Sequence, residues 1–123
     1  MPEKTFSIRE VAIATGVSAY TLRYYERVGL LGNVARSNSG HRSFSQADCD
    51  WVVFLSRLRL TGMPIRTMQK YAVLRAQGDE SAKARRELLE AHRTTICQQL
   101  QQLQSNLSLI DRKIELYRNI EES

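Results

Sequence analysis

What this chain has little of narrows its chemistry first. It contains two prolines among 123 residues, and neither proline nor glycine occurs from Ser81 to Ser123. Nothing in that last third would break a helix. Cysteine is scarce. Cys49 and Cys97 stand far apart, without the close pairing of a zinc site or a redox motif. A reduced, cytoplasmic setting is the simplest fit, and neither a metal nor another cofactor is expected. Histidine is limited to His41 and His92, and there is no glycine-rich phosphate loop. With no nucleophile–base pair in prospect, the enzyme class has little support. No apolar run approaches the ~18 residues of a membrane span. The polar N-terminus starts a helical motif almost at once, which argues against a signal peptide.

Acid is the other shortage. Between residues 23 and 75 the acids are Glu26, Asp48 and Asp50. They face Arg23, Arg27, Arg36, Arg42, Arg57, Arg59, Arg66, Lys70 and Arg75. The whole chain carries 18 Lys and Arg against 13 Asp and Glu, a formal charge of +5. A positive field concentrated in this way attracts phosphate backbones.

What is present reads as mainly α. Ser7-Ile8-Arg9-Glu10 is a capping box, and Ile8, Val11 and Ala12 follow at helical spacing. Gly16 ends that helix, and Val17 leads into Ser18, a second N-cap. In the helix after Ser18, Leu22 and Tyr25 share a face assigned to the core. Ser18, Thr21, Arg23 and Tyr24 present hydroxyls, an aromatic ring and a guanidinium on the other side. Such groups reach phosphate oxygens and base edges in a DNA groove. Helix, glycine turn and helix form the helix-turn-helix pattern. Gly29 is the expected stop of the second helix.

Residues 32–43 are rich in turn formers around Ser37-Asn38-Ser39-Gly40. They predict a small hairpin with strands near Val34-Ala35 and from His41 to Phe44. A hairpin beside a helix-turn-helix is a wing, and Arg36, His41 and Arg42 would put basic groups on it. Ser45 to Asp48 opens a third helix. Trp51, Phe54, Leu55, Leu58 and Leu60 form its apolar face, while Arg57 and Arg59 point away. After Thr61-Gly62-Met63, Pro64 starts a fourth helix that ends near Ala76.

From about Ser81 one long helix is expected. Its apolar positions are Leu89, Ile96, Leu100, Leu103, Leu107, Ile110, Ile114 and Tyr117. From Ile96 the steps alternate between four and three residues, a heptad rhythm. A helix of ~40 residues, ~60 Å long, cannot bury such a stripe against a small head. The same helix of a second chain is the economical partner, giving a homodimer whose orientation periodicity leaves open. Two domains follow: a DNA-binding head over 1–78 and a coiled-coil dimerisation helix over 79–123.

On these residues the chain resembles the MerR family of bacterial transcriptional regulators. The matching letters are Ser7-Ile8-Arg9-Glu10-Val11-Ala12, Gly16-Val17-Ser18, and Thr21 through Leu31. Arg36, Gly40-His41-Arg42-Ser43-Phe44 and Leu58 through Met63 continue the match. His41 departs from the pattern, since a tyrosine is usual there. The resemblance implies a winged helix-turn-helix head and an antiparallel coiled-coil dimer. It implies binding to a pseudo-palindrome in double-stranded promoter DNA, within an over-long spacer. Bending and untwisting that spacer lets RNA polymerase engage both promoter elements. The DNA-contacting positions carried over are Ser18, Thr21, Arg23 and Tyr24 from the second helix and Arg36, His41 and Arg42 from the wing.

The effector is less legible. The cysteines that metal sensors of this family carry, at the start of the dimer helix and in a loop near the C-terminus, have no counterparts here. Soft metals want two or more thiolates, so a soft-metal sensor is not expected. A subgroup of similar size has a reactive cysteine in the third helix, where Arg57 stands in this chain. Cys49, near the start of that helix, is a candidate redox thiol, because the helix dipole would lower its pKa. A small organic ligand is a third option. The rival to a DNA-binding regulator is a protein-interaction adaptor, in which the long helix pairs with another protein and the basic head is incidental.

Overall fold

The computed structural model describes residues 4–32 and 34–123. Asn33, inside the turn-rich stretch, lies outside the described residues. The chain divides into two compact units, 1–85 and 86–123.

The first unit is built on four helices and a two-stranded hairpin. They are α1 (Ile8–Thr15), α2 (Ala19–Arg27), β1 (Ala35–Arg36), β2 (Arg42–Ser43), α3 (Gln46–Leu60) and α4 (Ile65–Ala76). A short 3-10 turn, Gly78–Ser81, leads into α5 (Ala82–Glu122).

The helix starts are those that the polar residues dictate. Ser7 accepts from the Glu10 amide at 3.1 Å, and the Glu10 carboxylate accepts from the Ser7 amide at 2.9 Å. That backbone hydrogen bond, followed by the one from the Ser7 hydroxyl, holds the Glu10 carboxyl below its usual range. Ser45 and Asp48 repeat the arrangement at the start of α3. The ends of α2 and α3 also match each other. Leu30 N–H donates to Tyr25 O at 2.8 Å and Gly29 N–H to Glu26 O at 3.2 Å. Met63 N–H donates to Leu58 O at 3.0 Å and Gly62 N–H to Arg59 O at 3.1 Å. Both ends are Schellman motifs with a left-handed glycine, φ 84° at Gly29 and 97° at Gly62. In each, the buried residue after the glycine stands with a buried residue of the last turn, Leu30 with Tyr25 and Met63 with Leu58. The stop signal thus also feeds the core.

That core contains Val11, Leu22, Tyr25, Leu30, Leu31, Phe44, Trp51, Val52, Leu55, Leu58, Met63 and Met68. Trp51 stacks on Tyr71 with centroids 5.8 Å apart and on Phe54 at 6.1 Å. The Arg75 guanidinium covers the indole at 4.1 Å. Gln69 donates to Val28 O at 2.9 Å, which ties α4 to the end of α2. Leu60 does not join this face: it is 76% exposed. α3 stays helical through Leu60, and two residues on from Leu58 is more than half a turn, so Leu60 sits on the side opposite the packed layer.

The hairpin is shorter than expected. Ala35 pairs with Ser43 and Arg36 with Arg42. Ser37 N–H reaches His41 O at 2.7 Å and Gly40 N–H reaches Ser37 O at 2.9 Å, closing the turn. Phe6 and Phe44 exchange both backbone hydrogen bonds at 2.8 Å, which pins the hairpin base to the segment before α1.

The head unit runs past residue 78. Arg85 donates to Gly78 O and to Ser81 Oγ, both at 3.0 Å, so the first turn of α5 is bound to the 3-10 turn. The second unit is the remainder of α5. From Leu100 on, its large apolar residues are exposed on the single chain, from Ile114 at 44% to Leu103 at 64%.

Candidate nucleic-acid interface

The N-terminus of α2 sets the exposed face. Ser18 accepts from the Thr21 amide at 3.1 Å, and its hydroxyl donates to Thr21 Oγ1 at 2.9 Å. Ser18 is therefore committed to capping. Thr21, having accepted that hydrogen bond, keeps its own hydroxyl proton free to donate to a phosphate oxygen.

Arg23 is exposed and has no hydrogen-bond or ion-pair partner among the described residues. Tyr24 is half-buried, with the Arg27 guanidinium 5.6 Å from its ring centroid. Leu22 and Tyr25 face the core, as their spacing required. Burial pushes the Tyr25 phenol up, and the nearby Arg59 charge opposes this in part.

The wing brings Arg36, His41 and Arg42 to the same side. A cleft of about 190 Å³ is lined by Ser7, Ile8, Arg9, Arg23, Arg36, Gly40, His41 and Arg42. Four guanidiniums around one opening favour an anion, and a guanidinium fork suits two phosphate oxygens where no carboxylate takes it. The cleft unites Arg23, Arg36, His41 and Arg42 from the expected set. Ser18, Thr21 and Tyr24 lie outside its lining, along α2.

Arg9 was not expected. Its signal was available, because Arg9 lies between Ile8 and Val11 on the polar side of α1. The packing of α1 against α2 places it with Arg23. Tyr20 was also missed: it is 76% exposed on α2, next to the expected set.

Arg42 is ion-paired within the chain. Arg42 Nε donates to Glu26 Oε2 at 2.9 Å and Nη2 to Oε1 at 3.3 Å. Arg36 approaches the same carboxylate at 3.7 Å, and its Nη1 also donates to Gly40 O at 3.5 Å.

Cys49 lies in the core. It is buried at 7% exposure. Burial pushes its thiol up from the ordinary 9.0, and the Asp48 and Asp50 carboxylates push it further. The helix dipole expected to activate it is outweighed by desolvation and two neighbouring negative charges.

No group of three or more His, Cys, Asp or Glu that could hold a metal ion occurs among the described residues. No described helix is long and apolar enough to cross a membrane.

Comparison with known proteins shows the family. Residues 6–73 match the family described as MerR HTH family regulatory protein, and residues 50–113 match the one described as MerR, DNA binding. An HTH-type transcriptional regulator of Haemophilus influenzae is 34% identical over 113 residues, spanning 92% of this chain and 84% of that protein. The HTH-type transcriptional regulator AdhR of Bacillus subtilis is 39% identical over 87 residues, 71% of this chain and 62% of AdhR. Among solved structures, one is similar with a TM-score of 0.84 and 33% identity, covering 94% of this chain and 92% of its own. It is HiNmlR, a MerR family regulator lacking the sensor domain, bound to promoter DNA.

Proposed function

The chain belongs to the MerR family of HTH regulatory proteins and is a DNA-binding transcriptional regulator rather than an enzyme, and from that premise we propose that it acts as a homodimer on a pseudo-palindrome inside a promoter spacer. One observation carries the reading at residue level. The cleft between α1, α2 and the wing gathers Arg9, Arg23, Arg36 and Arg42 beside the exposed face of α2. In this reading α2 enters the major groove, with Thr21, Arg23 and Tyr24 reaching its edges. Arg9 and the wing hold the flanking backbone.

The coiled coil supplies the second head. Leu100, Leu103, Leu107, Ile110, Ile114 and Tyr117 are all exposed on one chain and follow the heptad rhythm. Pairing with an antiparallel second copy covers them and sets two heads apart on one DNA. Two heads held at a fixed separation bend the DNA between them, and RNA polymerase reads the altered spacer. Such a regulator works in the cytoplasm, where the bacterial chromosome lies.

Footprinting on the DNA upstream of the chain's own gene tests this reading. A protected palindrome within a promoter spacer is expected, with affinity falling steeply as salt rises. Absence of protection would favour the adaptor reading, with α5 as the functional surface.

A further inference from the structure

Glu26 is the single acid among the arginines between residues 23 and 42. On a surface that meets phosphates, a carboxylate is electrostatically unfavourable. The structure shows what occupies it. Glu26 lies in the last turn of α2 with its side chain 23% exposed. It accepts a two-pronged contact from Arg42, at 2.9 and 3.3 Å, and stands 3.7 Å from Arg36. Arg36 and Arg42 are register partners across the hairpin. One carboxylate on the recognition helix therefore holds both strands of the wing.

The wing needs such a tie. Its ladder is two residues long on each strand, and a hairpin of that size is marginal alone. The bridge between Phe6 and Phe44 pins its base. The Glu26–Arg42 pair fixes its direction toward α2, because a bidentate guanidinium–carboxylate contact is directional.

We propose that Glu26 is a positioning residue for DNA binding. Through Arg42 and Arg36 it sets the angle between wing and recognition helix, without touching DNA. The proposal rests on the reading that α2 and the wing face the DNA.

Two opposite expectations separate this role from simple charge. If Glu26 acted only as a negative charge, Glu26→Ala would tighten binding and steepen its salt dependence. As a clamp, its loss frees the wing, and binding weakens by roughly five- to tenfold at fixed salt.

The test titrates the upstream promoter DNA with the full chain and four variants: Glu26→Ala, Glu26→Gln, Arg42→Lys and Arg23→Ala. Circular dichroism melting checks the fold of each. Glu26→Ala is expected to weaken binding, with Glu26→Gln intermediate, since the amide keeps one acceptor for Arg42. Arg42→Lys keeps the charge but loses the fork, and should weaken binding as Glu26→Ala does. Should Glu26→Ala fail to fold, Glu26→Gln decides, because Arg42 itself lines the cleft that meets the DNA. Weaker binding by Arg23→Ala, with unchanged or tighter binding by the Glu26 and Arg42 variants, would overturn the clamp and leave the DNA-facing reading standing. Undiminished binding by all four would overturn both.

Discussion

The indole Nε1 of Trp51 donates to the carbonyl oxygen of Leu30 at 2.8 Å, both residues being buried. Leu30 is the residue that closes the Schellman motif of α2. The hydrogen bond therefore fastens the end of the recognition helix to the middle of α3, and it satisfies a carbonyl that has no access to water. Trp51→Phe keeps most of the ring but strands that carbonyl. It should cost ~1–3 kcal/mol in urea unfolding followed by circular dichroism. Trp51→Ala, which also empties the stack with Tyr71 and Phe54, should cost ~3–5 kcal/mol. A Trp51→Phe protein as stable as the parent would remove the hydrogen bond from the account of how α2 is held.

Arg9 and Arg23 line the same cleft from different helices. If each meets a phosphate, Arg9→Ala and Arg23→Ala should both weaken promoter binding. Each should also lower the slope of log affinity against log salt by about one. An Arg9→Ala protein with the parent's slope would place Arg9 outside the interface. An unchanged slope with relaxed sequence preference in Arg23→Ala would place that guanidinium on a base edge instead.

Two buried acids make the fold sensitive to alkali. Cys49 and Tyr25 both have their pKa raised by burial, from ordinary values of 9.0 and 10.0. The folded state binds these protons more tightly than the unfolded chain. Stability is therefore full at neutral pH and falls as pH rises through the ordinary thiol and phenol values, until the native values are passed. Cys49→Ala should flatten the first part of that fall, measured as melting temperature against pH. Iodoacetamide at neutral pH should modify Cys49 more slowly in the folded protein than in urea. Equal rates would mean that the thiol is not shielded.

The heptad stripe makes a prediction about assembly. Leu103 and Leu107 sit centrally in it and are 64% and 57% exposed on one chain. Leu103→Arg or Leu107→Arg would bury a charge at a helix–helix seam. Sedimentation equilibrium should then show a monomer at concentrations where the parent is a dimer. The head should keep its melting transition, while affinity for the full palindrome is lost. A monomeric parent would overturn the homodimer itself.

Local chemistry was readable letter by letter. Ser7 with Glu10 and Ser45 with Asp48 capped the helices they preceded, because a cap involves neighbours within four residues. Gly16, Gly29 and Gly62 ended helices for the same local reason. Leu22 and Tyr25 turned inward because three-residue spacing puts them on one face. The long helix followed from the absence of breakers, and membership of the family from a run of specific residues around Thr21 to Leu30.

Contacts between distant residues were not readable. The Arg42 ion pair is one, since nothing local shows that Glu26, sixteen positions earlier, would take its fork. Cys49 looked activated by a helix start, since nothing local shows how deeply the core would bury it. Arg9 became part of the basic cleft only when α1 packed against α2. The sequence by itself determined the helices, their caps and the family, because hydrogen bonds between near neighbours and periodicity decide them. The tertiary structure decided which charges are paired and which thiol is shielded, because those depend on which residues burial and packing bring together across the chain.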